Sequence, residues 1–207
     1  MHDSLASLLL IHGAGSGPWI FDDWGPSFPR LVTAAVDLQA GLEIAKASMD
    51  DYADAVARAA SELPQPLSLC GWSMGGLSAL QAAERIRPQS VVLIEASPPG
   101  EVQGFEPDVE LTEGTFDPEA VYGQFPSDAR ARDESLLARA ERKRGISVAS
   151  LPCPSLVIYG DEFRDERGAI VASFYGSDEL EFPALRHWDL VREPVVRKAI
   201  AQWLSVA

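Results

Sequence analysis

Cysteine is scarce in this chain of 207 residues: there are two, Cys70 and Cys153, far apart and in apolar surroundings. Two cysteines build neither a disulfide framework nor a cysteine-based zinc site, and both thiols are expected to be buried and inert. Basic residues are in deficit, with 17 Lys and Arg against 31 Asp and Glu, a net charge of −14. That excess repels polyanions, so neither nucleic acid nor an anionic membrane surface is expected as a partner. No apolar run approaches the roughly 18 residues of a membrane span. The amino-terminal SLASLLLI has no basic lead-in; the first Lys or Arg is Arg30, and Asp3 stands where a signal peptide needs positive charge. A cytoplasmic protein is expected. Histidine is scarce too, with His2, His12 and His187 alone, which narrows any search for a general base.

What remains is ordinary for a globular chain: 46% hydrophobic and 23% charged residues, enough for one domain (1–207) with one sizeable core. Short apolar runs read as buried parallel strands at 7–13, 31–38, 67–72, 90–97, 155–161 and 179–184. Helical patterns lie between most of them. Met49, Tyr52, Ala53, Val56, Ala60 and Leu63 follow helical spacing, and Ser48 with Asp51 can form a capping box. Further helices are predicted over 74–87, over 165–175, and from Pro194 onward with a stripe of Val196, Ala199, Ile200, Trp203 and Leu204. Strand and helix in alternation mean an α/β fold with a mainly parallel sheet. Residues 98–150 break the rhythm. The stretch 98–126 is acidic, proline-bearing and free of Lys and Arg, and 127–145 reads as an Arg-rich helix. This insertion is either a solvated excursion or a small cap over a site.

The motif Gly71-Trp72-Ser73-Met74-Gly75 has the form G-x-S-x-G. It follows the strand pattern LSLC and precedes the helix pattern GGLSALQAAERI, the strand-to-helix turn such a motif requires. Ser73 would then stand at the carboxyl edge of the sheet, where open α/β folds place ligands. A serine hydroxyl needs a base to become a nucleophile. His187, in FPALRHWDLV, is the histidine placed on a loop after a strand at that same edge; His2 lies at the terminus and His12 ends a strand. A carboxylate must orient the base. Asp161 is favoured, with Glu162, Asp165, Glu166 and Glu95 as alternatives; Asp189 is too near His187 in sequence. Oxyanion donors are expected at the backbone N–H of Met74, directly after the serine, and of Ala14, in the glycine-rich HGAGSG.

Taken together, these stretches resemble the α/β-hydrolase superfamily. LLLIHGAGSGPW looks like its oxyanion loop, LCGWSMGG its nucleophile elbow, SLVIYGDEF its acid strand and LRHWDLV its histidine loop, spanning residues 8–191. The resemblance implies a three-layer fold of about six strands with helices on both faces, without the family's usual leading hairpin. It implies Ser73 as nucleophile, His187 as base, amide donors at Ala14 and Met74, and no cofactor or metal. It also implies an acid three residues after Gly160, where this chain has Phe163.

The expected reaction is cleavage of a carboxylic ester of a small or medium, largely uncharged molecule through an acyl-enzyme. No anion clamp is evident, and an acidic cap would disfavour anions. Thioesterase, acyltransferase and C–C hydrolase activities use similar machinery, and a ligand-binding protein without turnover would show the same scaffold. Dinucleotide binding to GAGSG with Asp37 is disfavoured, because Pro18, Gly25, Pro26 and Pro29 leave no room for the helix that would hold the pyrophosphate. Trp19, Trp24, Trp72 and Trp188 fall in or beside the site loops, and Trp19, Trp72 and Trp188 are the candidate pocket residues. They either wall an apolar pocket or pack the loops onto the core.

Overall fold

The computed structural model describes residues 6–205; His2 lies outside them. The chain runs β1 (Ala6–Ile11), β2 (Leu31–Val36), α1 (Met49–Ser61), β3 (Leu67–Trp72), α2 (Met74–Ile86) and β4 (Ser90–Ile94). The insertion follows, with α3 (Gly100–Gln103), β5 (Thr115–Phe116), α4 (Pro118–Tyr122), β6 (Glu134–Ser135) and α5 (Leu136–Arg144). The chain returns through β7 (Ser155–Tyr159), α6 (Ala169–Tyr175), β8 (Asp178–Glu181), α7 (Asp189–Arg192) and α8 (Pro194–Leu204).

Six strands form one sheet in the order β2-β1-β3-β4-β7-β8, every pair parallel. The inner strands are buried on both faces, which is why they read as continuous apolar runs. Alternate residues serve alternate faces. Leu9 and Ile11 of β1 pack with Tyr52, Val56 and Leu77 under α1 and α2, whereas Leu8 and Leu10 pack with Trp24, Val196 and Ile200 under α8. Helix α1 begins on the expected capping box: the Ser48 hydroxyl accepts from Asp51 N, and the Asp51 carboxylate accepts from Ser48 N. Between β1 and β2 the prolines permit only two short 3-10 turns, at Pro18–Phe21 and Gly25–Ser27. The sheet order reverses direction at β1, so the loops after β1 and β3 diverge beside one another at the carboxyl edge and leave a crevice there.

The insertion departs from the sequence expectation. A helix over 127–145 is predicted, but only Leu136–Arg144 is helical. Glu134 and Ser135 instead pair antiparallel with Phe116 and Thr115, and both are fully buried. Tertiary bonds explain the change. The Ser135 hydroxyl donates to Ala47 O (2.6 Å), Arg132 N donates to Gly15 O (3.0 Å), and Arg132 Nε donates to Ser16 O (2.7 Å). The helix over 165–175 is likewise shortened. One turn of wider, π-type helix (Arg164–Gly168) precedes α6. Cys70 is buried as expected, but Cys153 is only half-buried; burial raises the pKa of both thiols.

Candidate active site

Ser73 sits where β3 turns into α2, with φ 55° and ψ −125°. That left-handed backbone is costly for a residue with a Cβ. The surroundings hold it there. Ser73 N donates to Ile94 O (3.0 Å), and Ser73 O accepts from Ser97 N (2.9 Å) and Gly76 N (3.0 Å). The neighbouring glycines are required by close approach. A Cβ on Gly71 would lie 2.5 Å from Gly75 O, and one on Gly75 would lie 2.3 Å from His12 O. The motif therefore folds as a tight elbow because helix, strand and the loop after β1 meet without room for side chains.

His187 lies in the loop between β8 and α7, as the sequence reading places it. Its Nδ1 stands 2.6 Å from Glu95 Oε2. A carboxylate only accepts, so Nδ1 carries the proton and Nε2 is left free to accept one. Glu95 is fully buried, directly after β4, with φ 38°. Its other oxygen, Oε1, accepts from Gly160 N (2.9 Å), and its backbone N–H donates to Ile158 O (2.8 Å). Burial is the largest influence on His187 and lowers its pKa; the Glu95 carboxylate opposes this. The ring packs against Trp72 (centroids 4.8 Å apart) and Phe163 (5.2 Å), and the His187 carbonyl accepts from Trp72 Nε1 (3.2 Å).

Asp161, the favoured acid from sequence, is not the partner of His187. Its carboxylate accepts from Ala184 N (3.0 Å). Glu162 accepts from the backbone N–H of His187 (3.0 Å), not from the ring. Asp165 and Glu166 are exposed on the turn before α6. The acid strand of the resemblance thus contributes a backbone donor, Gly160, while the carboxylate comes from the neighbouring strand. A signal for this was present: Glu95 ends an otherwise apolar run, SVVLIEAS, beside the nucleophile strand.

Ser73, His187, Ala14, Trp72, Trp188 and Phe163 line one cavity of about 340 Å³, a size suited to a small ligand. Val121, Tyr122, Phe125 and Arg142 of the insertion close its other wall. Trp19 does not line it. Trp19 borders a separate cleft with Asp23 and Asp128, under the Arg132 guanidinium (5.0 Å). Trp72 and Trp188 do line the cavity and contact each other (4.7 Å). Trp24 is wholly buried and donates to Val191 O (2.9 Å), a packing role. Among the described residues, neither the Ala14 nor the Met74 amide donates to a protein acceptor. Met74 N is an orphan donor at the start of α2. Both amides are therefore available to an oxyanion. His12 is fully buried: its Nε2 accepts from Leu38 N (3.1 Å), so its Nδ1 carries the proton toward Gly13 O (2.9 Å). It braces the loop after β1 and does not line the cavity. Arg142, from the Arg-rich part of the insertion, and Arg167 also line the cavity; the sequence reading named neither as a site residue.

Comparison with known proteins agrees with this architecture. The chain is 37% identical over 97 residues to pimeloyl-[acyl-carrier protein] methyl ester esterase of Aromatoleum aromaticum, and 36% identical over 86 residues to that of Neisseria meningitidis serogroup A. Those stretches cover 44% and 41% of this chain, but only 37% and 28% of the two relatives. Among solved structures, it is similar to a carboxylesterase structure from Nitrososphaera gargenis (TM-score 0.73, 15% identity, 99% of this chain and 91% of that one). It is also similar to BorB, a type II thioesterase from the borrelidin biosynthetic cluster (TM-score 0.68, 18% identity, 99% and 93%). At such identities these structures speak to fold alone. The model of the alpha/beta hydrolase family matches residues 8–205, and the chain belongs to that family.

Proposed function

We propose that this protein is a serine hydrolase that cleaves a carboxylic ester of small or medium size, with Ser73 as nucleophile, His187 as base and Glu95 as the orienting acid. The observation that carries the reading is the 2.6 Å contact between His187 Nδ1 and Glu95, which sets the tautomer so that the neutral ring carries a basic Nε2, on a histidine that lines the same cavity as Ser73. His187 Nε2 takes the Ser73 proton as Ser73 Oγ attacks the ester carbonyl. The Ala14 and Met74 amides hold the oxyanion, aided by the positive end of α2. The intermediate collapses, the alkoxide leaves with the proton from His187, and the acyl group remains on Ser73. Water, deprotonated by His187, then releases the acid and restores the hydroxyl.

Esterase activity in partly matching relatives supports an ester as the bond cleaved. The residues 98–150 act in this reading as a small cap, since four of their side chains wall the cavity. No helix among the described residues is long and apolar enough to cross a membrane; a cytoplasmic location fits the unpaired cysteines. The test is hydrolysis of p-nitrophenyl acetate, with a fluorophosphonate probe to label the nucleophile. Wild type turns over the ester and is labelled at Ser73, and Ser73→Ala does neither. Equal turnover by the two proteins would sink the reading. A matched panel of esters and thioesters identifies the preferred bond.

A further inference from the structure

We infer that Arg142 and Arg167 form a subsite for an anionic group, a carboxylate or a phosphate, carried by the ester that reaches Ser73. The inference rests on the hydrolase reading above and deepens it. The two arginines come from different elements, α5 and the turn before α6, yet line the same cavity as Ser73 and His187. Of the twelve other arginines, five (Arg85, Arg132, Arg164, Arg186 and Arg192) pair with carboxylates, and the remaining seven line no part of this cavity. Arg142 and Arg167 form no ion pair among the described residues, in a chain with 31 acidic side chains.

Of the carboxylates near them, Glu166, whose charge reaches Arg167, is exposed and forms no ion pair with it among the described residues, and the others are committed elsewhere. Glu95 is held by His187 and Gly160 N, and Glu162 accepts from His187 N. Arg142 Nη2 donates to the Tyr122 hydroxyl (3.2 Å), while its Nε is buried with no acceptor. The Arg167 guanidinium lies over the Phe163 ring (4.2 Å), which orients it without neutralising it. Burial, and then the charge of Arg142, push the Arg167 pKa down against the opposing charges of Glu95 and Glu166, so Arg167 is partly desolvated and the two guanidinium groups repel one another. A guanidinium does not shed its proton in proteins, and its planar fork matches carboxylate and phosphate. An anion in this cavity would relieve the repulsion between the two guanidinium groups. The unpaired charge makes an ester bearing a second, anionic group a better fit than the uncharged ester expected from composition.

The experiment compares mono-p-nitrophenyl glutarate with p-nitrophenyl valerate, which differ by a terminal carboxylate against a methyl. Wild type should favour the glutarate ester at least tenfold in kcat/KM. Arg142→Met and Arg167→Met should each cut that ratio at least threefold, and Arg167→Lys should restore part of it. Arg85→Gln, outside the cavity, should leave the ratio unchanged. No preference in wild type, or ratios unmoved in both Met variants, overturns the subsite while leaving the hydrolase reading intact. If neither ester is turned over and Ser73 is not labelled, the hydrolase reading fails, and the subsite is judged by thermal shift. Glutarate or inorganic phosphate should then raise the wild-type Tm more than that of Arg167→Met, with the stronger anion identifying the group. Equal shifts in both proteins overturn it.

Discussion

His187 and Glu95 are joined across 92 residues of sequence by a 2.6 Å contact between Nδ1 and Oε2, with the carboxylate fully buried at the end of β4. Glu95→Gln should therefore lower kcat by about 10⁴-fold, the scale on which an amide in place of the orienting carboxylate disables a Ser–His–acid triad. Asp161→Asn should stay within a few-fold of wild type, because that carboxylate serves the Ala184 amide. Steady-state kinetics on p-nitrophenyl acetate checks both. Loss of activity in Asp161→Asn with retention in Glu95→Gln would reverse the assignment.

The same pair sets the pH dependence. Burial lowers the His187 pKa below its ordinary 6.5, and only the neutral ring can take the serine proton. Activity should persist into mildly acidic solution, with the acid limb of kcat/KM centred below 6.5. Glu95 favours the charged ring, so its removal in Glu95→Gln should move the residual limb to still lower pH. A limb above 6.5 in wild type would mean that the carboxylate outweighs burial.

Much of this was legible in the sequence because the signals are local. Five of the six strands announced themselves as apolar runs, whereas β8 (Asp178–Glu181) carries three acidic residues among its four; α1 announced itself as a spaced stripe with its capping box, and the elbow as glycines between a strand and a helix. Scarcity of histidine pointed to His187. The acid was not legible in the same way. Asp161 and Glu95 both follow strands that end at the same edge, but the Asp161 carboxylate serves the Ala184 amide whereas Glu95 meets the imidazole, and no local pattern records which carboxylate the fold delivers to the ring. The insertion was misread for a related reason. Its local pattern favoured a helix through 127–145, but Arg132 and Glu134 are claimed by Ser16 and Gly15 in the loop after β1, and that demand overrides propensity.

Glu134 shows the consequence. This buried carboxylate accepts from Gly15 N (2.9 Å), Ser135 N (2.9 Å) and the Tyr52 hydroxyl. Three donors thus converge on two oxygens, and an amide offers only one. In Glu134→Gln at least one donor would face an NH2 group, at a cost of about 1–3 kcal/mol. A Tm lower by roughly 3–10 °C is expected from thermal unfolding. Because Gly15 adjoins Ala14, kcat should fall as well, with KM less affected. An unchanged kcat would detach this anchor from the oxyanion loop.

The last prediction concerns the strain at Ser73 itself. Its φ of 55° and ψ of −125° are tolerated by glycine but costly, by about 1–3 kcal/mol, for a residue with a Cβ. Ser73→Ala keeps the Cβ and should keep the strain. Ser73→Gly removes it, at the expense of about 0.4–1 kcal/mol from a more flexible unfolded chain. Ser73→Gly should therefore melt a few degrees above Ser73→Ala, although both lack the nucleophile. Calorimetry on the two variants makes the comparison, since neither retains the hydroxyl and the difference reports the backbone. Equal melting temperatures would mean that the elbow holds Ser73 in place at no cost to stability; a higher one in Ser73→Gly would show that the nucleophile's position is maintained against the backbone's own preference.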